Sequence, residues 1–118
     1  MNTLFYTFYR TFTELKDGKI MPAYGTGMIK TGFRPSDDPN THAYNIPGNA
    51  MFSTYLDLVA KNILLNIPTN SVFRGEAVRL ALKMQSMSKT IRDAIFDFGV
   101  VKNKSGVKVF AYEVDGKG

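Results

Sequence analysis

A chain of 118 residues holds one compact domain, or one small domain with an appendage. With 44% hydrophobic and 13% aromatic residues it can bury a real core, and its 21% charged content is ordinary for a globular protein. The absence of cysteine excludes disulfides, thiolate metal sites and thiol nucleophiles, and a single histidine, His42, excludes His-rich metal sites and any mechanism needing two imidazoles.

The net charge is +5, with a pI near 9.5. Residues 71–118 carry nine Lys/Arg against five Asp/Glu, whereas residues 1–70 carry six against five, so the basic excess lies almost wholly in the C-terminal part. Excess positive charge favours polyanionic partners through counterion release. The start, MNTLFYTFYR, has neither a basic n-region nor a long apolar stretch. No window approaches the ~18 apolar residues of a membrane span. These features lead us to expect a soluble, cytoplasmic protein, in the host cytoplasm if it is viral.

In chain order, residues 4–13 alternate with period two, Leu4, Tyr6, Phe8 and Phe12 on one face and Phe5, Thr7, Tyr9, Thr11 and Thr13 on the other. That pattern predicts a strand. Asp17-Gly18 predicts a turn, and Lys19–Tyr24 a returning edge strand limited by Pro22. Residues 25–49 are rich in Gly, Pro, Asn and Asp and read as loop, with a short strand at Met28–Phe33. Twenty-five residues is long for a structureless connection, so the segment is either ordered against a partner or a tether.

A helix is expected over Ala50–Asn66, capped by Asn49 and ended by Pro68. A short extended piece, Ser71-Val72-Phe73, leads to a second helix over Arg74–Met84. Ser86-Met87-Ser88 reads as a break, with Ser88 the N-cap of a third helix over Lys89–Phe98 and Gly99 its C-cap. Val100-Val101, a turn at Lys104-Ser105-Gly106 and an alternating Val107–Val114 predict a two-stranded hairpin. The expected class is α+β, divided into a β-hairpin and loop extension at 1–49, a helical domain with its hairpin at 50–114 and a loose tail at 115–118.

Catalytic and cofactor signals are weak. Gly25 to Gly32 contains several glycines but lacks the Gly-Lys-Ser/Thr of a phosphate-binding loop. Asp37-Asp38 beside Pro39 suits a turn, and two adjacent carboxylates make a poor metal site without converging ligands. His42 has no acid or nucleophile at recognisable spacing, and nothing assembles nucleophile, base and oxyanion donors. No enzyme activity, cofactor or metal is expected.

The order from Ala50 onward, with the stretch SVFRGEAVRLAL…SMSKTIRDAIFDFGVVKNKSGVKVFAYEV, resembles the winged helix-turn-helix family of small viral proteins and prokaryotic regulators. The family likeness implies a C-terminal winged helix with an N-terminal hairpin. It also implies a transcription regulator that binds duplex DNA, with the helix starting at Ser88 in the major groove. Ser88, Lys89, Thr90 and Arg92 would then face DNA, joined by Lys102, Asn103, Lys104 and Lys108 of the wing. A homodimer would address a palindromic site. The alternative is a protein–protein interaction module or inhibitor acting through the aromatic N-terminal hairpin (Phe5, Tyr6, Tyr9 and Arg10) and the 25–49 loop.

Overall fold

The computed structural model describes residues 23–117. The expected N-terminal strand, its turn and the partner-interface residues Phe5, Tyr6, Tyr9 and Arg10 lie outside the described residues. The described chain is α+β: two helices packed side by side and two small antiparallel sheets. Its elements are β1 (Tyr44–Asn45), α1 (Ile46–Asn62), a 3-10 turn (Leu64–Asn66), α2 (Arg74–Phe98), β2 (Val100–Lys102), β3 (Lys108–Phe110) and β4 (Glu113–Val114).

Helix α1 begins four residues before the sequence suggests. Asn45, in extended conformation, caps it by accepting the Gly48 N–H at 2.7 Å, and Pro47 occupies the first turn. Asn49, expected as the cap, is instead buried inside the helix. Its Oδ1 accepts the Ile29 N–H at 2.8 Å, and its Nδ2 donates to the Ile29 carbonyl at 3.0 Å and the Asn45 carbonyl at 2.8 Å. A side-chain amide thus gives Ile29 the paired donor and acceptor that a neighbouring strand would give. The expected strand at Met28–Phe33 is accordingly absent, apart from an isolated bridge between Phe33 and Pro39. At its C-terminal end α1 stops at Asn62, and Arg74 Nη1 donates to the carbonyls of Leu65 and Ile67, both at 2.7 Å, across the link to α2.

Helix α2 is one continuous run of 25 residues. The expected break at Ser86-Met87-Ser88 does not occur, so no helix-turn-helix forms. Ala77, Ala81, Met84, Ser88, Ile91 and Ile95 follow one another at alternating steps of four and three, a seam that passes straight through the serines. On α1 the buried positions Ile46, Asn49, Ser53, Leu56 and Ala60 repeat the same steps. The two seams meet at Ser53 and Ser88. Ser53 Oγ donates to the Ser88 carbonyl at 2.9 Å, and Ser88 Oγ donates to the Ser53 carbonyl at 2.7 Å. Small residues let the helices approach here, and the reciprocal bonds satisfy both buried hydroxyls. Around them Met28, Tyr44, Ile46, Leu56, Ile91, Ala94 and Ile95 form the core.

Gly99 ends α2, its N–H bonded to the Ile95 carbonyl at 2.7 Å. A Cβ there would lie 2.6 Å from that carbonyl oxygen and 2.9 Å from Ile46 Cδ1, so the close approach requires glycine. The hairpin follows, with Val100, Val101 and Lys102 opposite Phe110, Val109 and Lys108. Its turn is closed by Asn103, whose Oδ1 accepts the N–H groups of Ser105 and Val107, with Gly106 at φ 80°. The return strand is not continuous to Val114. It stops at Phe110, and β4 leaves to pair with β1, setting Tyr44 against Val114 and Asn45 against Glu113. Asp115–Lys117, read from the sequence as a tail, follows β4: the Ala23 N–H donates to the Asp115 carbonyl at 2.7 Å, and Gly116 is buried. Among the described residues no helix is long and apolar enough to cross a membrane.

A continuous α2 makes a distinctive prediction. Ser86→Pro would be tolerated in a turn, but inside this helix it removes a backbone bond and clashes with the preceding turn. It should cost about 3 kcal/mol or more in urea denaturation followed by circular dichroism. A loss below about 1 kcal/mol would contradict an unbroken helix at this position.

Candidate functional site: a clamped two-aspartate turn

Residues 33–42 form a loop closed by backbone hydrogen bonds and tied to a distant part of the chain. Arg34 N–H donates to the Asp38 carbonyl at 2.8 Å, and Asp37 N–H donates to the Arg34 carbonyl at 2.9 Å, which closes a tight turn over Pro35–Asp38. Asp37 sits at φ 70°, the one non-glycine residue in left-handed conformation among those described. Aspartate tolerates this region better than most residues, yet it remains strained, and such strain concentrates at functional sites. Ser36 Oγ donates to Asp38 Oδ2 at 2.9 Å. Both aspartates are exposed, so the turn presents two carboxylates to solvent on a fixed backbone. Below it, Asn40 is buried and its Nδ2 donates to the Thr31 carbonyl at 2.8 Å.

The turn is tied to β4 by one carboxylate. Glu113, whose side chain is 4% exposed, accepts Arg34 Nε–H at 2.6 Å on Oε1. Its Oε2 accepts Arg34 Nη2–H at 3.3 Å, the Thr41 N–H at 2.9 Å and the His42 N–H at 3.1 Å. The Arg34 guanidinium also donates to Thr41 Oγ1 at 3.2 Å and lies 5.5 Å from the centre of the Tyr112 ring. Burial pushes the Glu113 pKa up, but the hydrogen bonds from Arg34, His42 and Thr41 outweigh it and hold the carboxyl below its ordinary value. The hydrogen bond to Glu113 in turn raises the Arg34 pKa, so the pair is fully charged at neutral pH.

The residues expected to face DNA are not assembled for that task. Ser88 is buried against Ser53 and caps nothing. Lys89 Nζ pairs with Asp93 Oδ2 at 2.6 Å, one turn along the same helix. Thr90 Oγ1 donates to the Ser86 carbonyl at 3.0 Å. Because these residues lie mid-helix, their N–H groups are spent within α2, and there is no helix N-terminus at Ser88 to receive a phosphate. Arg92 is exposed on α2, and Lys102, Asn103, Lys104 and Lys108 are exposed on the hairpin, where the Asn103 side chain is taken up in closing the turn. Among the described residues no group of three or more His, Cys, Asp or Glu could hold a metal ion.

Comparison with known proteins gives the family. Residues 2–118 match the family described as metal-independent alpha-mannosidase, GH125. The chain belongs to this family. It is 35% identical over 91 residues to the meiotically up-regulated gene 157 protein of Schizosaccharomyces pombe, a match covering 77% of this chain and 16% of that protein. It is also similar to a solved structure of a metal-independent alpha mannosidase from Streptococcus pneumoniae, in a non-productive complex with alpha-1,6-mannobiose. The TM-score is 0.64 at 30% identity, covering 86% of this chain and 22% of the solved one. The chain therefore spans about a fifth or less of the length of these relatives.

These matches overturn the winged-helix resemblance and the expectations drawn from it. A glycosidase family replaces the non-enzymatic transcription regulator, and glycan replaces duplex DNA as the partner class of the relatives. The interaction-module alternative gains no support either. The sequence shows Asp37-Asp38-Pro39 as a turn within the long 25–49 segment, expected to be either ordered against a partner or a tether. What it did not show is Glu113, which reaches the turn only through the fold.

Because folding lowers the Glu113 pKa, its pairing stabilises the docked turn at neutral pH, above the ordinary carboxylate range. The stabilisation is lost as pH falls through the lowered value. The Glu113 side-chain carboxyl carbon signal should therefore stay constant through the ordinary carboxylate range and titrate only in more acidic solution. In Glu113→Gln the Thr41 and His42 amide signals should be displaced at neutral pH, because one carboxylate oxygen has been lost to them.

Proposed function

We propose that this chain supplies part of the glycan site of a metal-independent α-mannosidase, with the Arg34–Pro39 turn carrying its acid–base contribution. Glycoside hydrolysis commonly uses two carboxyl groups flanking the scissile bond, one protonating the leaving oxygen and the other acting across the sugar ring. The observation that carries the reading is the turn itself, where two exposed carboxylates stand on a strained and anchored backbone. Three other acids of the described chain are held in ion pairs: Asp57 with Lys61, Asp93 with Lys89, and Glu113 with Arg34. Asp37 and Asp38 are neighbours on one turn, so they serve one side of the bond, and the opposing group comes from another surface. Within that frame one of them protonates or orients the glycosidic oxygen, and the Ser36 hydroxyl fixes the rotamer of Asp38.

The test uses α-1,6-mannobiose, the disaccharide named in the solved relative. Titrated into the labelled 118-residue chain, it should perturb amides of residues 33–41 ahead of those in α2 or the hairpin. Asp37→Asn and Asp38→Asn keep shape but remove charge. Any release of mannose should fall by about 10²–10⁴-fold in the variant that lacks the general acid. A chain that neither binds nor cleaves the disaccharide, or whose two Asn variants act like the parent, would sink the proposal.

A further inference from the structure

The Asp37–Asp38 turn has few restraints of its own. Pro35 to Pro39 are exposed, and the turn is closed by the Arg34–Asp37 and Arg34–Asp38 backbone bonds, the Asn40 N–H to Gly32 carbonyl bond, the Ser36–Asp38 side-chain bond and the Phe33–Pro39 bridge. What holds it against the body is remote in sequence, 79 residues beyond Arg34. We infer that Glu113 is a positioning residue for the Asp37 and Asp38 carboxylates, acting through Arg34 on one side of the turn and through the Thr41 and His42 amides on the other. The inference rests on the glycan role proposed for the turn.

Both flanks are gripped by a single side chain. Arg34 precedes the aspartates, Thr41 and His42 follow them, and all three donate to the same carboxylate. Two N–H groups of the guanidinium meet two carboxylate oxygens, a fork that fixes orientation as well as distance. Glu113 is in turn held by backbone pairing, since it stands opposite Asn45 in the β1–β4 ladder, and Asn45 caps α1. The carboxylates are thus referenced to a helix end rather than to a free loop, which is how a reacting group is kept within a fraction of an ångström. A glutamine at 113 could not reproduce the arrangement. It offers one oxygen to four donors and turns an N–H₂ toward one of them. A lysine at 34 would keep the charge but lose the fork.

The test records backbone amides and side-chain carboxyl carbons of Asp37 and Asp38 by NMR in the full 118-residue chain, as parent, Glu113→Gln and Arg34→Lys. Both variants should move the Ser36, Asp37 and Asp38 signals and speed exchange of the Asp37 amide about tenfold or more, while the Ala77–Ile91 signals of α2 stay in place. A general loss of stability would not change the carboxyl signature of the molecules that remain folded. If Glu113→Gln does not fold, Arg34→Lys decides the question alone. The same samples are then titrated with α-1,6-mannobiose, and the response at the turn should weaken about tenfold in both variants, the effect of one misplaced hydrogen-bonding group. Unmoved turn signals in a folded variant overturn the positioning role. Moved turn signals in a chain that binds no mannobiose support the positioning and overturn the glycan reading instead. Mannobiose binding that survives undiminished in both variants overturns the inference that positioning matters to the ligand.

Discussion

A carboxylate removed from water needs its charge answered from every side, and the Glu113 side chain is where this chain meets that demand. Four N–H groups from three residues converge on it. Such a group is costly unless paired and hydrogen-bonded, so the segments that bring those donors must be in place together. Around it Thr31 N–H meets the Ala43 carbonyl, Ala23 N–H meets the Asp115 carbonyl, and the Tyr44 hydroxyl donates to the Ala23 carbonyl at 2.6 Å. The irregular 23–43 segment therefore has a defined course without a sheet of its own. Several of its backbone groups are satisfied by a side-chain amide, a carboxylate and short bridges to distant parts of the chain.

The two-helix body sets the surface on which that segment lies. Each helix contributes a seam with steps of three and four, and the seams are narrow because their residues are small: Ser53 and Ala60 on α1, Ala77, Ala81 and Ser88 on α2. Small residues allow close approach, and two serines at the crossing exchange hydrogen bonds with each other's backbone. A hydroxyl in that position is worth little as hydrophobic surface. Its value is that it fits and that both of its bonding needs are met.

That same serine explains what could and could not be read beforehand. Ser-Met-Ser is a good turn or cap signal when only local chemistry is considered, since serine competes for nearby backbone groups. The longer-range signal, the unbroken seam from Ala77 to Ile95, pointed to a helix, and the tertiary contact at Ser53 decides for it. The hairpin was legible because its turn is local: Asn103 and Gly106 close it by themselves. The departure of β4 at Glu113 was not, because its pairing partners, Tyr44 and Asn45, lie far back in the chain. Likewise Asn49 is a plausible cap from sequence, whereas the structure gives that role to Asn45. Only the need of Ile29 for a donor and an acceptor assigns Asn49 to another duty. Asp37-Asp38-Pro39 was legible as a turn, but its left-handed aspartate and its clamp were not, and those are what make it a candidate site.

Net charge was the weakest guide, for a physical reason. A positive excess favours polyanions only to the extent that its charges stay free and lie together. Here several cations serve the chain's own structure. Lys61 answers Asp57, Lys89 answers Asp93, Arg34 answers Glu113, and Arg74 bonds the carbonyls of Leu65 and Ile67. Lys30 lies 3.8 Å above the Tyr24 ring, its charge directed to an aromatic face. Among the described residues, what remains exposed is Arg79, Lys83 and Arg92 on α2, Lys102, Lys104 and Lys108 along the hairpin and Lys117 after β4, and none of these has a helix N-terminus at Ser88 to work with. Asp37 and Asp38 carry no ion pair among the described residues, and the Arg34 guanidinium that precedes them in the chain is engaged by Glu113 instead.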